Sequence, residues 1–227
     1  MATLNSEQIE QNARRILDQL PEGVVLVAAA KTRSAEQVLA VLRAGVNILG
    51  YNYLQEAEKV RAAVGSRARY HMIGHLQRNK AKPAASLFDM VQTVDNLRLA
   101  QKLNRHCAEL GRRMPVLIEV NSAGEPNKSG VAPAEVDRLA DALVRLPGLQ
   151  LEGLMTMGPF TADPEDLRPN FRLTRRAFER LQRRLETDAK ITTLSMGMSD
   201  SYSIALEEGA TMVRLGSILF GPRQPAR

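Results

Sequence analysis

The chain alternates between short apolar runs and longer stretches in which apolar residues recur every three or four positions. Eight runs have strand-like length, and most are continuously apolar, as expected of parallel strands buried on both faces. They begin with VVLVAAA at residue 24 and continue as VNILGYN, RYHMIG, FDMVQTV, PVLIEVN, LQLEGLMTM, TTLSMGM and TMVRLGS. Helical patterns or helical loops follow them. The alternation predicts an α/β protein built as a single (β/α)8 TIM-type barrel.

Capping residues indicate where several helices begin. A lead-in helix over residues 6–20, with Ser6 as its predicted cap, precedes the first strand and forms an extra N-terminal helix. Ser34 and Gln37 make a capping box for the next helix, and Asp95 is the predicted cap of a later one. The connection HLQRNKAKPAASL after the third strand has the weakest helical pattern. Helices thus separate most of the strands, as a barrel requires.

A doubly wound open sheet is the alternative architecture for such an alternation. No G-x-G-x-x-G follows the first strand, so the usual dinucleotide-binding signal of that fold is missing. The 15 glycines and 11 prolines lie at the ends of periodic segments and do not cluster in a linker. We therefore predict one domain over residues 1–227.

Composition narrows the class of protein. A hydrophobic fraction of 44% is ample for a large core, and the single cysteine, Cys107, excludes an internal disulfide. The N-terminal residues lack the apolar core of a secretory signal, and no apolar run approaches the length of a spanning helix. We expect a cytoplasmic protein without a membrane partner, either a monomer or a weak dimer.

The net charge of +6 and the sequence pI of 9.8 are compatible with a nucleic-acid partner. The basic residues concentrate in RPNFRLTRRAFERLQRRLE, where apolar positions recur at helical spacing. These positions are Phe171, Thr174, Phe178, Leu181 and Leu185. We interpret the arginines between them as a solvated outer face and do not expect a nucleic-acid partner, since a chain with no Trp and 4% aromatic residues offers few stacking platforms for bases.

Polar residues lie at the carboxyl ends of the predicted strands, where TIM barrels carry their functional sites. Strands one, two, three, seven and eight supply the candidates. In chain order they are Lys31, Asn52, His75, Met196, Ser199, Arg214, Gly216 and Ser217. Their clustering predicts a binding site at this end of the barrel.

The last two strand ends predict a phosphate site. In TIM barrels the loops after strands seven and eight often bind phosphate together with a helix N-terminus. Ser199 lies in SMGMSDSYSIALEEG, and Gly216 and Ser217 lie in VRLGSILFG. Ordinary helix caps and turns explain either loop alone, but both loops occur at the expected strands.

Lys31 ends the first apolar run. Burial beside Val27 and Ala28 disfavours the charged ammonium form, so the neutral amine can attack an aldehyde to form a Schiff base. We expect the lysine at one side of the barrel mouth and the phosphate site at the other, which predicts a phosphorylated carbonyl compound as ligand. The alternative is a lysine whose amine extends to solvent from the strand end.

The remaining histidines have no predicted ligand. His71 alternates with Tyr70 and Met72 in the third strand and is expected to be a structural histidine with a hydrogen-bond partner. His106 and Cys107 lie in the middle of a helix and are predicted to be exposed and buried, respectively. Because the three histidines lack ligand spacing, we expect no metal site.

Six stretches of the chain closely resemble the pyridoxal-phosphate homeostasis proteins. They are LVAAAKTRS, GYNYLQEA, YHMIGHLQRNK, VLIEVNSAGEPNKSGV, GLMTMGP and LSMGMSDSYSIALEEGATMVRLGSILFG, and the resemblance extends from about residue 5 to residue 223. The most specific of these stretches are IGHLQRNK and the segment that runs from SMGMSD to VRLGS. That family has the alanine-racemase type of N-terminal barrel, standing alone without the second, all-β domain. The resemblance implies pyridoxal 5′-phosphate as the cofactor.

The resemblance also implies roles for the strand-end residues. Lys31 would form the Schiff base with pyridoxal 5′-phosphate, and Arg214 would face the pyridine nitrogen. An arginine there keeps the nitrogen unprotonated and makes the ring a poorer electron sink; a salt bridge across the barrel interior is the alternative role of Arg214. The implied phosphate ligands are Ser199, Gly216 and Ser217, and the implied ring-pocket residues are Asn52, His75 and Met196.

One position departs from the family pattern. The motif after strand two usually reads Gly-Glu-Asn-Tyr, whereas this chain has Gly50, Tyr51, Asn52 and Tyr53. We expect Tyr51 to remove a carboxylate beside the pocket, so a role of that acid does not carry over. Lys31 is unchanged, so the implied cofactor binding stands.

The resulting hypothesis is a protein that carries or buffers pyridoxal phosphate in vitamin B6 and amino-acid homeostasis, rather than an enzyme with turnover. A racemase of this type would take a second acid/base group from a C-terminal domain, which we do not expect in 227 residues. Apo forms of pyridoxal-phosphate enzymes are candidate partners. The alternatives are a pyridoxal-phosphate-dependent amino-acid racemase or lyase, and a basic nucleic-acid-binding protein with a vestigial barrel.

Overall fold

Eight parallel strands close into a barrel in the computed structural model, which describes residues 4–159, 161, 163–187 and 189–222. The strands are β1 (Val25–Ala29), β2 (Ile48–Tyr51), β3 (Arg69–Met72), β4 (Met90–Val94), β5 (Met114–Glu119), β6 (Leu149–Met155), β7 (Thr193–Ser195) and β8 (Met212–Leu215). Each strand pairs with the next, and β8 returns to β1 in parallel, with Val27 opposite Arg214. This pairing confirms the predicted TIM-type barrel and shows that the open-sheet alternative is wrong.

Helices surround the barrel and connect its strands. They are α1 (Ser6–Gln19), α2 (Ala35–Arg43), α3 (Leu54–Val64), α4 (Ala81–Leu87), α5 (Leu97–Glu109), α6 (Val136–Leu143), α7 (Arg168–Arg184), α8 (Tyr202–Glu207) and α9 (Ser217–Phe220). The predicted N-terminal helix is confirmed as α1, which packs against α2 and α9. No helix within the described ranges is long and apolar enough to cross a membrane.

The helix starts differ from prediction at two places. Asn5, not Ser6, caps α1, because its side chain accepts from the Gln8 N–H at 2.9 Å and Gln8 Oε1 accepts from the Asn5 N–H at 3.0 Å. Asn96, not Asp95, caps α5. In both cases the cap is the asparagine next to the predicted residue. Its side-chain oxygen accepts a helix N–H as well as that of a serine or an aspartate does. The predicted capping box before α2 is confirmed.

Two apolar layers stabilise the barrel. Its interior contains one cluster that includes Val27, Ile48 and Met212, and another formed by Met90, Leu117 and Met155. A much larger cluster combines outward-facing strand residues with the buried faces of the helices. Successive strand residues point alternately into and out of a barrel. This alternation decides which strand-end side chains can reach the interior.

The arginine-rich helix α7 uses one face for the core. Its apolar positions are buried as predicted, with Phe171 and Leu181 fully so. Several of its arginines form ion pairs within the chain: Arg168 contacts Glu208 at 2.9 Å and Arg184 contacts Asp141 at 2.5 Å. These ion pairs therefore connect α7 to the end of α8 and to α6.

Helix α5 gives one confirmed and one wrong prediction. Cys107 is buried as predicted. His106, predicted to be exposed, is only 9% exposed, and its Nδ1 lies 2.8 Å from Glu109 Oε2. The imidazole contacts Arg105 and Glu109 of the same helix, and its burial is not indicated by the helical spacing alone.

Candidate functional site

Lys31 lies two residues beyond the end of β1, which stops at Ala29. Its side chain is half-buried, and Nζ lies 5.3 Å from the centre of the Tyr53 ring, a cation–π contact. The next residue, Thr32, has a left-handed φ of 63°, and its N–H donates to Glu56 Oε1 at 3.3 Å. A non-glycine residue in this region is held there by its surroundings. The backbone thus fixes Lys31 in place, although the residue is less buried than the alanine run predicts.

The loops after β7 and β8 meet at Ser199. Its Oγ accepts hydrogen bonds from the Gly216 N–H at 3.1 Å and from the Ile218 N–H at 3.3 Å. Ser217 begins α9 beside them. The first N–H groups of a helix lack partners within the helix and carry partial positive charge. The two loops therefore bring hydroxyl and amide donors to one place, as the phosphate prediction requires.

The predicted phosphate loops lie next to Lys31 rather than across the barrel mouth from it. Because β8 pairs with β1, the last strand end is a neighbour of the first. A Cβ added at Gly216 would lie 3.4 Å from the Ala29 carbonyl oxygen, which shows how closely the two strand ends approach. The expectation that the lysine and the phosphate site face each other is wrong, since barrel closure makes them adjacent.

Arg214 points into the barrel and begins a chain of buried hydrogen bonds. Its Nη1 donates to Ser195 Oγ at 2.7 Å, and its Nη2 donates to the Thr156 carbonyl oxygen at 2.9 Å. Ser195 donates in turn to Gln92 Oε1 at 2.7 Å, and Gln92 Nε2 lies 3.0 Å from His71 Nδ1. His71 is therefore a hydrogen-bonded structural histidine, as predicted.

Arg214 and Glu119 influence each other electrostatically within the barrel. Burial lowers the pKa of Arg214 to about 10, while the Glu119 carboxylate acts to raise it. Burial, together with repulsion by Asp95, raises the pKa of Glu119 to about 7, and Arg214 acts to lower it. The hydrogen-bond partners of Arg214 among the described residues are a hydroxyl and a carbonyl. Arg214 therefore stays a cation at neutral pH, positioned by neutral groups.

Asn52 and His75 reach the mouth of the barrel. Asn52 follows β2 and packs closely on Gly74, where an added Cβ would lie 2.6 Å from the Asn52 Cα. Only a glycine at position 74 allows this approach. The side chain of His75 is 54% exposed, and its Nδ1 lies 3.0 Å from Ser129 Oγ. Asn52 thus precedes Tyr53, whose ring contacts Lys31, whereas His75 forms its contact with Ser129 in the loop after β5.

Met196 and Tyr51 point away from the barrel mouth. Ser195 faces the interior, so Met196 after it faces outward, and its side chain is fully buried in the cluster shared with the helices. Tyr51 lies in the same cluster, stacked on Tyr70 with ring centres 6.4 Å apart. Burial raises the pKa of the Tyr51 hydroxyl. The expectation that Tyr51 lies beside the pocket is therefore wrong, because its strand position faces the helices.

Four interior polar residues were not predicted from sequence: Gln92, Glu119, Thr156 and Ser195. All are almost fully buried: Gln92 lies in the middle of β4, Glu119 and Ser195 end β5 and β7, and Thr156 directly follows β6. Each interrupts an otherwise apolar run, and this interruption is the sequence signal for them. A polar residue inside a buried strand requires a hydrogen-bond partner. Such an interruption therefore indicates a polar contact inside the barrel.

Comparisons with known proteins agree with this geometry. A family model of the N-terminal domain of alanine racemase matches residues 4–224. The pyridoxal phosphate homeostasis protein of Vibrio alginolyticus is 38% identical over 231 residues, covering 95% of this chain and 97% of that protein. The protein of the same name from Escherichia coli K12 is 39% identical over 211 residues, covering 89% and 87% of the two chains.

Solved structures show the same fold. PipY of Synechococcus elongatus PCC7942, solved with pyridoxal phosphate bound, has a TM-score of 0.86 and 32% identity, covering 94% of this chain and 100% of PipY. An alanine racemase of Clostridium difficile 630 has a TM-score of 0.81 at 18% identity and covers 99% of this chain but 63% of the racemase. The latter likeness concerns the fold alone.

The closed barrel, with a lysine after β1 and converging loops after β7 and β8, defines the class of alanine-racemase-type barrels. Within that class, the chain belongs to the pyridoxal phosphate homeostasis protein family.

Proposed function

We propose that this chain is one pyridoxal-phosphate-binding barrel domain that carries or buffers the cofactor in vitamin B6 and amino-acid homeostasis. The observation that carries the proposal is the contact between two strand ends: the loop with Gly216 approaches Ala29, two residues before Lys31. The strand end that precedes Lys31 thus adjoins the loop in which the Gly216 and Ile218 N–H groups gather around Ser199, and such helix N-terminal N–H groups suit an anion. The names of the relatives and the pyridoxal phosphate bound to PipY support the same ligand.

The donor set fits each part of this cofactor. Ser199, Ser217 and the N–H groups of Gly216 and Ile218 suit a phosphate dianion, since helix N-terminal amides attract negative charge. Lys31 supplies a primary amine that forms a Schiff base with an aldehyde carbon. When bound, pyridoxal phosphate supplies that aldehyde and an electron-withdrawing pyridine ring.

Arg214 and the mouth residues complete the proposed contacts. Arg214 has guanidinium N–H groups beyond the two that bond to Ser195 and Thr156, and we assign one of them to the pyridine nitrogen. Asn52 and His75 would border the ring. Met196 is left out of these contacts because its side chain lies in the core.

A fixed cation at the ring nitrogen favours binding over turnover. A guanidinium whose pKa is lowered by burial to about 10 still holds its proton at neutral pH. Beside the pyridine nitrogen it would donate a hydrogen bond without giving up its proton, and the ring would then withdraw electrons less strongly. This arrangement favours a carrier over an enzyme with turnover. The proposed recipients of the cofactor are apo pyridoxal-phosphate enzymes. We further propose that the protein acts in the cytoplasm as a monomer or a weak dimer.

A transfer assay tests the carrier function. The loaded protein is mixed with an apo-aminotransferase in the presence of a phosphatase that destroys free pyridoxal phosphate. A carrier restores aminotransferase activity, whereas an equal amount of free cofactor does not. In parallel, α-proton exchange of individual amino acids is followed in D₂O. Fast, substrate-selective exchange by the loaded protein would instead support a racemase or lyase and contradict the proposal.

A further inference from the structure

Lys31 lies in a tight turn directly after β1. The Arg33 N–H donates to the Ala30 carbonyl oxygen at 3.1 Å, so Lys31 and Thr32 are the two central residues of a four-residue turn. The φ of Thr32 is 63°, whereas that of Lys31 is not positive. A positive φ at the second central residue alone is the pattern of a type II turn. The type of turn therefore sets the backbone at Lys31.

Threonine is an unfavourable residue at the second central position of this turn. Type II turns normally place glycine or asparagine there, because a residue with a Cβ is strained at positive φ. Threonine is also branched at Cβ, which makes a positive φ rarer still. Among the residues that the structure describes, Thr32 is the only one other than glycine with a positive φ. A contact from outside the turn must therefore hold this conformation.

Glu56 supplies that contact. The Thr32 N–H donates to Glu56 Oε1 at 3.3 Å, which joins the turn to the first turn of α3. Glu56 is the third residue of α3, after its N-cap Tyr53. A glutamate at this position often accepts from the N–H of its own N-cap residue. Within the described part of the chain, Glu56 accepts from Thr32 instead. Its carboxylate therefore stabilises the turn rather than the helix.

The second carboxylate oxygen of Glu56 points inward. Oε2 is buried and has no hydrogen-bond partner among the described residues. Burial chiefly raises the pKa of the Tyr51 hydroxyl, and the charges of Tyr70 and Glu56 raise it further. Removal of a carboxylate oxygen from water is unfavourable. The side chain is thus directed to Thr32 although this direction leaves Oε2 poorly solvated.

The acceptor on Glu56 selects between two forms of the turn. They differ in the orientation of the peptide between Lys31 and Thr32: from type I to type II, ψ of the first central residue changes from about −30° to about +120° and φ of the second from about −90° to about +80°. Threonine by itself favours type I, in which its φ is negative. The Glu56 carboxylate favours type II, because the rotated peptide would turn the Lys31 carbonyl oxygen, instead of an N–H, toward its negative charge.

The form of the turn affects the amine of Lys31. The rotamers available to a side chain depend on φ and ψ, and ψ of the first central residue differs by about 150° between the two turn types. In the observed form, Lys31 Nζ lies 5.3 Å from the centre of the Tyr53 ring. The start of α3 therefore contacts both the Lys31 side chain and the backbone that follows it.

We propose that Glu56 is a positioning residue for Lys31, which keeps the turn in its type II form and so directs the amine toward the aldehyde of the cofactor. This inference rests on the proposed function, because it takes Lys31 as the residue that forms the Schiff base. In that reaction the neutral amine adds to the aldehyde carbon, and the carbonyl oxygen leaves as water. Glu56 takes no part in these bond changes and acts through the Thr32 N–H.

Two ligands separate positioning from binding. Pyridoxal phosphate reacts with an amine, whereas pyridoxine 5′-phosphate has an alcohol in place of the aldehyde and does not. Glu56→Ala should weaken pyridoxal phosphate binding about tenfold, because the turn relaxes and the amine loses its direction. It should change pyridoxine phosphate binding by less than about twofold. Glu56→Gln keeps an oxygen acceptor and should behave as the wild type. Fluorescence titration gives both affinities.

A second substitution tests whether the effect passes through the turn. Glycine removes the strain at positive φ, so Thr32→Gly added to Glu56→Ala should restore most of the lost affinity for pyridoxal phosphate. Glu58→Ala is the control, because Glu58 is an exposed residue of the same helix. If Glu56→Ala fails to fold, Glu56→Asp replaces it, since a side chain one methylene shorter falls short of the Thr32 N–H.

Crystal structures of the cofactor-free wild type and of cofactor-free Glu56→Ala report on the turn directly. We expect the φ of Thr32 to be positive in the wild type and negative in the variant. This measurement involves no cofactor, so it is independent of whether Lys31 forms a Schiff base.

Three results would overturn the proposal. They are a positive φ at Thr32 in Glu56→Ala, equal weakening of the two ligands by Glu56→Ala, and no recovery when Thr32→Gly is added. A wild type that forms no Schiff base with pyridoxal phosphate would refute the proposed function instead. In that case the φ of Thr32 in the two crystal structures still decides whether Glu56 controls the turn.

Discussion

Arg214 and Ser195 are joined inside the barrel by a hydrogen bond of 2.7 Å from Nη1 to Oγ. Ser195 is fully buried and Arg214 is 3% exposed. The serine hydroxyl accepts from the guanidinium and donates to Gln92, so a single side chain orients a buried cation and satisfies a buried amide. The direction of Arg214, and hence the group it offers to a ring nitrogen, depends on this hydroxyl.

Loss of the Ser195 hydroxyl is expected to destabilise the fold and weaken cofactor binding. Ser195→Ala leaves Arg214 and Gln92 each without one buried partner, which should lower the unfolding free energy by about 2 kcal/mol. Urea unfolding measures this loss. The control is Ser203→Ala, an exposed position on α8 that should change stability by less than about 0.5 kcal/mol. Equal stability of the two variants would show that the buried network does not hold Arg214.

Removal of His71 is expected to reduce sensitivity to acid. Burial lowers the pKa of His71 to about 3 in the folded state, from 6.5 in the unfolded chain. The unfolded state therefore binds more protons between these two values, and the fold loses stability as pH falls below about 6.5. Below about pH 6 the wild type should lose up to about 1.4 kcal/mol more per pH unit than His71→Gln.

Urea unfolding at pH 7, 6 and 5 measures the slopes for His71. His106→Gln provides the comparison for losing a histidine outside the barrel interior. Parallel curves for wild type and His71→Gln would mean that the imidazole is protonated within the fold, in conflict with its burial.

Ser199 is expected to distinguish phosphorylated from unphosphorylated ligands. Its Oγ lies at the N–H groups that we assign to the phosphate, and its hydroxyl supplies a further O–H donor there. Ser199→Ala should weaken pyridoxal phosphate binding by about tenfold, the value of one charge-assisted hydrogen bond, and change pyridoxal binding much less. Fluorescence titration with both ligands gives the two affinities. An equal loss for both would show that Ser199 supports the loop without contacting the phosphate.

The strands, and the strand-end positions of several candidate residues, could be predicted because their signals are local. Continuous apolar runs identify buried parallel strands, and a polar residue just beyond such a run lies at the barrel mouth, as Asn52 and Ser199 do. The predicted caps of two helices were wrong by one residue, because Asn5 and Asn96 compete with Ser6 and Asp95 for the same capping role.

The adjacency of strands that are distant in sequence, and the direction of their side chains, could not be predicted from the local sequence pattern. The adjacency of Lys31 and Gly216 follows from the closure of β8 on β1, which no short stretch of sequence reports. The outward direction of Met196 and Tyr51 depends on strand register, since a shift by one residue reverses the face. For the same reason, Gln92 and Glu119 emerged as interior residues only from the structure.

The central claim, that Lys31 holds pyridoxal phosphate, is tested most directly by borohydride reduction of the loaded protein. We expect a visible Schiff-base absorbance band that borohydride bleaches, with the reduced pyridoxyl group found by peptide mass mapping on Lys31 and with neither signal in Lys31→Ala. Lys80→Ala, a lysine that lines the neighbouring cavity at Asn52, is the control and should retain both. Identical spectra for wild type and Lys31→Ala, or a label on another lysine, would contradict the claim.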